Sequence, residues 1–216
     1  MGADKRQGRQ RRNENIKKLL PTKWIIFCNG EKTEPNYFNK LIEYLYKQQS
    51  TQIANIKYFN ESPSNLISRF ESYRQTLNTI PINEKIIFVF DKDNFDDFDN
   101  AIKLANRKYP GCFVAWSNIC FELWLCLHFE LYTSTLTSAV YNSKLTTKLG
   151  ENYERKLKNN ERLFNLIIEN DGSLEIALKN AKKLMENKNT IIPSKSNPAT
   201  TVHIAVSAIL DETKNT

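Results

Sequence analysis

Apolar positions follow two rhythms along the first 130 residues and one thereafter. Residues 24–28, WIIFC, form a short apolar run between Pro21 and Asn29-Gly30, the pattern of a buried strand ending in a tight loop. A helix is expected next, because Pro35 suits a first-turn position and Tyr37, Phe38, Leu41, Ile42 and Leu45 recur at helical spacing. Residues 53–59, IANIKYF, alternate imperfectly as a second strand. Ser62-Pro63 then starts a helix carrying Leu66, Ile67, Phe70, Tyr73 and Leu77 on one face. Residues 85–91, KIIFVFD, are continuously apolar up to Asp91, as expected for a strand covered on both faces. A helix over 96–109 and a fourth strand over 112–117 follow. Strand and helix thus alternate, which predicts an open, mainly parallel α/β sheet flanked by helices over residues 21–130. From Phe121 onward the spacing is helical. Helices are expected in FELWLCLHF and over about 134–148, 151–169, 173–188 and 199–211, with 189–198 as an extended connection. Residues 131–216 therefore read as a helical C-terminal region packing on the α/β core.

Composition adds bounds to this outline. With 216 residues, 40% hydrophobic and 25% charged, the chain is long enough to bury a sizeable core. No run approaches the roughly 18–20 apolar residues of a membrane span, and no apolar stretch follows the charged N-terminus. A cytoplasmic protein without membrane association is expected. Cys28, Cys112, Cys120 and Cys126 sit in apolar segments without a C-x-x-C pair, so neither zinc nor disulfides are implied. The net charge of +7 is concentrated at one end. Residues 1–20 hold Lys5, Arg6, Arg9, Arg11, Arg12, Lys17 and Lys18 against Asp4 and Glu14, seven minus two, or +5. Such an arm, expected to be disordered, can attract phosphates without sequence preference by releasing counterions. A purely solubilising tail is the competing explanation.

The densest chemistry lies at 89–99, VFDKDNFDDFD, where a buried strand runs into five carboxylates. Asp96, Asp97 and Asp99 are explained by the start of the following helix, where acidic residues are favourable. Asp91 and Asp93 come too early for that. If the strand continues through them they point to one side, and two carboxylates that close repel unless a cation or proton is shared. Hard oxygen ligands favour Mg²⁺ or Mn²⁺, commonly held by one or two carboxylates together with substrate phosphates. An EF-hand does not fit, since its sixth and twelfth positions fall on Asp96 and Ile102. In an open parallel sheet, functional groups gather at the carboxyl ends of strands, which here also brings in the loop Asn29-Gly30-Glu31.

Four separated segments, CNGEKTEPNYF (28–38), FDKDNF (90–95), SNICFELWLCLHF (117–129) and NPATTVHIAV (197–206), resemble in the same order the RloB family of bacterial proteins associated with restriction loci and phage defence. Similar proteins include the second component of the AbiL abortive-infection pair, encoded beside an AAA-type ATPase. RloB proteins in turn resemble the Toprim fold of topoisomerases, primases and OLD-type nucleases. The resemblance implies a Toprim-like sheet with a Glu after the first strand and D-x-D after the third, holding Mg²⁺ against a DNA or RNA phosphate. It also implies an ATPase partner, and homo-oligomerisation is compatible with it.

Asp91 and Asp93 match the second element and are the expected metal ligands and catalytic carboxylates. The first departs: where family members read C-E-G-E-K-T-E-P, this chain has Asn29 before Gly30. Asn offers one carbonyl oxygen but neither charge nor a titratable proton, so its role is contact rather than acid–base catalysis. Glu31, taken as the replacement carboxylate, and Glu34 lie in the same loop. Glu34 precedes Pro35, where it can serve the helix start instead. Lys32 and Thr33 sit where a helix N-terminus and a cation can receive a phosphate. Glu122 follows the fourth strand and is expected to face the crevice of Asp91. His128 and His203 read as packing residues. Two functions follow: a metal-dependent nuclease or nuclease subunit, or a catalytically weakened module that binds nucleic acid or nucleotide and regulates a partner.

Overall fold

The computed structural model describes residues 23–47, 53–76, 84–186, 188 and 192–214. The basic arm expected over 1–20, and Leu77, lie outside the described residues. The first half alternates as β1 (Lys23–Cys28), α1 (Thr33–Tyr46), β2 (Ala54–Tyr58), α2 (Pro63–Thr76), β3 (Glu84–Asp91), α3 (Phe98–Lys108) and β4 (Phe113–Asn118). The helices that follow are α4 (Glu122–Leu127), α5 (Ser138–Leu149), α6 (Leu163–Glu169), α7 (Leu174–Met185) and α8 (Val202–Thr213). Among the described residues no helix is long and apolar enough to cross a membrane.

With a fifth strand, β5 (Ala199–Thr200), the sheet order is β2-β1-β3-β4-β5, with β1 to β4 parallel. After β1 the chain moves to one side for β2, then crosses back over β1 to add β3 and β4 on the other side. This reversal places α1 on one face with Trp24, Ile26, Cys28, Ile87 and Val89. It places α2 and α3 on the opposite face with Ile25, Phe27, Phe88 and Phe90. Consecutive crossovers of the same hand must change faces when the strand order reverses. They leave a crevice where β1 and β3 end side by side, paired at Cys28 and Val89. Both strands are buried on both faces, which is why their sequences read as unbroken apolar runs.

The C-terminal half departs from expectation in two places. The helix expected over 151–169 is divided into a π-helical turn, Tyr153–Leu157, and α6, with Lys158 to Arg162 between them. Gly150, at φ 69, closes α5 just before it in the left-handed conformation glycine adopts readily. The segment expected to be helical from residue 199 begins instead as β5 (Ala199–Thr200), antiparallel to β4, before α8 starts. Side chains hold this edge: the Thr200 hydroxyl donates to Trp116 O at 3.0 Å and the Thr201 hydroxyl to Val114 O at 2.6 Å.

His128 is a core residue, as expected. Its Nδ1 donates to Trp124 O at 3.1 Å, leaving Nε2 to accept the Tyr37 hydroxyl at 3.1 Å. Burial lowers its pKa to about 4, so the ring is neutral near pH 7. His203 lies partly buried in the first turn of α8.

The carboxylates explained above by their own helix act on other elements. Asp97, at the N-cap position of α3, makes no side-chain bond to that helix. Its Oδ2 accepts from the Ser62 hydroxyl at 2.7 Å and from Ser64 N–H at 2.9 Å, capping α2 from outside. Asp99 accepts both Ser194 N–H at 2.9 Å and the Ser194 hydroxyl at 2.5 Å, tying down the C-terminal connection. Burial pushes the Asp97 carboxyl up, but hydrogen bonds from Ser62 and Ser64 outweigh it and hold the group below its usual range. A depressed native pKa contributes stability above the unfolded pKa that is lost as pH falls. Asp97→Ala is therefore expected to cost about 1 kcal/mol near pH 7. Urea unfolding should show that difference closing as pH drops below about 4. An equal cost at pH 3 would contradict the capping role.

Candidate functional site

A cavity of about 410 Å³ opens over the joined ends of β1 and β3. The β1–α1 loop forms one wall, the turn after β3 another, and the start of α4 its floor. Lys158 and Asn159, from the interruption before α6, close the far side. Every site residue expected from the sequence lines this space: Asn29, Gly30, Glu31, Lys32, Thr33, Asp91, Asp93 and Glu122. So does Glu34, which the sequence assigned only loosely.

Asp91 is the last residue of β3. It falls on the same sheet face as Ile87 and Val89, so strand alternation carries its carboxylate toward the α1–α4 side. Only 8% exposed, it accepts Phe121 N–H on Oδ2 at 2.8 Å, while buried Oδ1 has no hydrogen-bond partner. Burial pushes this carboxyl well up, and Glu34, Glu122 and Asp93 push it further. Asp93 is not a strand continuation. Two ladder bonds persist, Lys92 N–H to Ser117 O at 2.9 Å and Asp93 N–H to Ile119 O at 3.0 Å. At Asp93, however, the backbone turns to φ 34, a left-handed conformation that Asp tolerates better than most residues. The side chain stands at the exposed mouth of the cavity. Burial of the carboxyl and the nearby Glu122 both raise its pKa.

Glu34 is the buried carboxylate of the β1–α1 loop, 6% exposed in the first turn of α1. Glu31 is exposed at the rim. Local geometry explains the difference, because a Cβ added at Gly30 would overlap both carboxylate oxygens of Glu34. Glycine at 30 is what lets the Glu34 side chain fold back under the loop. Burial raises its pKa to about 7; its own backbone N–H and Lys158 pull it down while Glu122 and Asp93 push it up.

Glu122, 3% exposed at the start of α4, is satisfied from the C-terminal region. Its Oε1 accepts the Tyr153 hydroxyl at 3.1 Å and lies 3.0 Å from Lys158 Nζ. Thr33 faces the same region, its hydroxyl donating to Lys158 O at 3.1 Å, and Lys32 is exposed beside it. Asn29 is partly exposed, and its backbone N–H donates to Val89 O at 3.0 Å. Burial, followed by the nearby carboxyls, pushes up the thiols of Cys28 and Cys120, keeping both neutral and poor as nucleophiles.

Tyr153 and Lys158 were not anticipated from the sequence. Their 62- and 67-residue separations from Asp91 leave no local spacing to detect. Among the described residues, no three His, Cys, Asp or Glu side chains are arranged to enclose a metal ion by themselves. The carboxyls of Asp91, Glu34, Asp93 and Glu122 line the cavity together, with Glu31 at the rim.

These observations define a parallel α/β protein with an acid-lined cavity at the point where its strand order reverses. A family model described as RloB-like protein matches residues 24–209, and the chain belongs to that family. No curated protein and no solved structure matches the chain.

The raised carboxyl pKa values fix the sign of a pH effect. A carboxyl whose native pKa lies above its unfolded value favours folding while protonated, and that contribution is lost as pH rises through the native pKa. With a chelator present, stability against urea is expected to fall between about pH 4.5 and pH 7. Glu34→Gln should flatten the decline. A variant profile parallel to wild type would show that Glu34 is not strained by its neighbours.

Proposed function

We propose that this RloB-like chain is a Toprim-like, Mg²⁺- or Mn²⁺-dependent nuclease, or the nuclease subunit of a phage-defence system with an AAA-type ATPase partner. The observation that carries this reading is Asp91 Oδ1, a buried carboxylate oxygen without a partner in a cavity shared with four other carboxyls. Leaving such an atom unsatisfied is costly unless a ligand completes it. The donor set fits Mg²⁺ or Mn²⁺ better than a caged ion, because Mg²⁺ keeps several waters and takes only one or two carboxylates from the protein. Asp91 and Asp93 are the ligands in this reading, with Glu34 and Glu122 beside them. Bound there, the cation would supply charge for a phosphodiester oxygen and lower the pKa of an attacking water.

The chain's own groups have separable tasks. Asp91, fixed by Phe121 N–H, presents its free oxygen in one orientation. Asn29 offers an amide at the position where the family carries Glu, and Glu34 is the buried carboxylate of the same loop. Lys32, at the start of α1, and the basic arm attract the polyanion. DNA and RNA share this phosphate chemistry. The alternative, a module that binds nucleic acid or nucleotide and regulates its partner without cleaving, draws support from Asn29, which cannot exchange a proton.

The test compares wild type, Asp91→Asn and Asn29→Glu on DNA and RNA with Mg²⁺ or Mn²⁺. Wild type is expected to cleave, and Asp91→Asn to lose at least about 100-fold in rate. Cleavage by Asn29→Glu alone would establish the binding module, and cleavage unaffected by Asp91→Asn would remove the site from the chemistry.

A further inference from the structure

Lys158 pairs with a carboxylate of the cluster, and its backbone is held in place by two side chains of α1. Its carbonyl accepts the Thr33 hydroxyl at 3.1 Å, and the next carbonyl, of Asn159, accepts Asn36 Nδ2 at 3.1 Å. Thr33 and Asn36 belong to the first turn of α1, beside the loop that carries Asn29 and Glu34. The interruption between the π-helical turn and α6 is therefore fastened at its backbone to the wall of the cavity. The Lys158 side chain extends from that anchor to Glu122.

Its present partner is asymmetric. Ion pairs elsewhere, such as Arg69–Glu61 and Arg162–Glu169, join side chains that are each at least a quarter exposed. The Glu122 side chain is 4% exposed and that of Lys158 41%, so the ammonium caps a buried carboxylate from the solvent side. The same Glu122 oxygen also accepts the Tyr153 hydroxyl. Departure of the lysine would leave Glu122 Oε1 hydrogen-bonded. Lysine suits such a move, being a compact charge on a flexible stem rather than a planar fork.

We propose that Lys158 is a resident counter-ion that changes partners: it rests on Glu122 while the cavity is free of divalent cation, and turns to a substrate phosphate oxygen when the cation is present. This rests on the metal-site reading above. A divalent cation beside Asp91 brings positive charge close to the ammonium, which weakens its hold on Glu122, and a phosphodiester at the mouth offers a new anion. Lys158 is thus a substrate-positioning residue, and it competes with the metal in the free protein.

Competition and positioning predict opposite signs for one substitution, which a structural ion pair does not. Lys158→Met keeps the backbone anchor and the apolar stem. Calorimetric titration of the free protein with Mn²⁺ is expected to show tighter binding by roughly threefold to tenfold, because a competing charge is gone. Anisotropy of a fluorescent single-stranded oligonucleotide should show binding weakened about tenfold in Ca²⁺ but nearly unchanged in chelator, with Lys158→Arg restoring part of the loss. Mn²⁺ binding that is unchanged or weaker in Lys158→Met, or an equal oligonucleotide loss in chelator, overturns the exchange. If wild type binds Mn²⁺ and Asp91→Asn does not, that failure belongs to Lys158 alone. If wild type binds no Mn²⁺, or Asp91→Asn binds it equally well, the metal-site reading fails together with the exchange.

Discussion

A buried carboxylate with one oxygen satisfied and the other alone sets the terms for the rest of this structure. Asp91 ends a strand covered on both faces, where ionising a carboxyl costs several kcal/mol unless charge or hydrogen bonds compensate. Phe121 N–H provides one bond, which also links the end of β3 to the start of α4. The neighbours that would relieve a lone charge are instead Glu34, Glu122 and Asp93, each of which raises its pKa further. Stability alone gives no reason to gather acids in this way. A fold carrying such a cluster pays for it elsewhere, in the two aromatic-rich cores on either side of the sheet. Ligand binding at the cluster then has the largest effect available to it, because it relieves repulsion already present.

The C-terminal half is integral to this arrangement. It returns a strand to the sheet through β5 and sends Tyr153 and Lys158 to Glu122. Its backbone is held against α1 by Thr33 and Asn36. The cavity consequently has walls from both halves of the sequence, so movement of the helical region would change the environment of the carboxyls directly. A partner docking on those helices would have a physical route to the site.

Much of the parallel sheet was legible because strands buried on both faces leave uninterrupted apolar runs, as in WIIFC and KIIFVFD. The position of the crevice followed from the rule that functional groups gather at the carboxyl ends of parallel strands. Other features were hidden for identifiable reasons. A two-residue strand such as Ala199–Thr200 has no periodicity to detect, and its pairing depends on threonine bonds to β4. The prominence of Glu34 over Glu31 depends on space above Gly30, which spacing does not report. Asp97 and Asp99 looked like ordinary helix-start acids, since nothing local shows that their partners are Ser62, Ser64 and Ser194. Lys158 appeared to lie within one long amphipathic helix, and only the break before α6 turns it toward the cavity.

Crystals of the protein soaked with Mn²⁺, with data collected at the manganese absorption edge, offer the most direct test of the metal site. An anomalous peak within bonding distance of Asp91 Oδ1 is the predicted result, with Asp93, Glu34 or water completing the shell. A fully ordered cavity without such a peak, with Asp91 Oδ1 bonded to a protein donor instead, would contradict it.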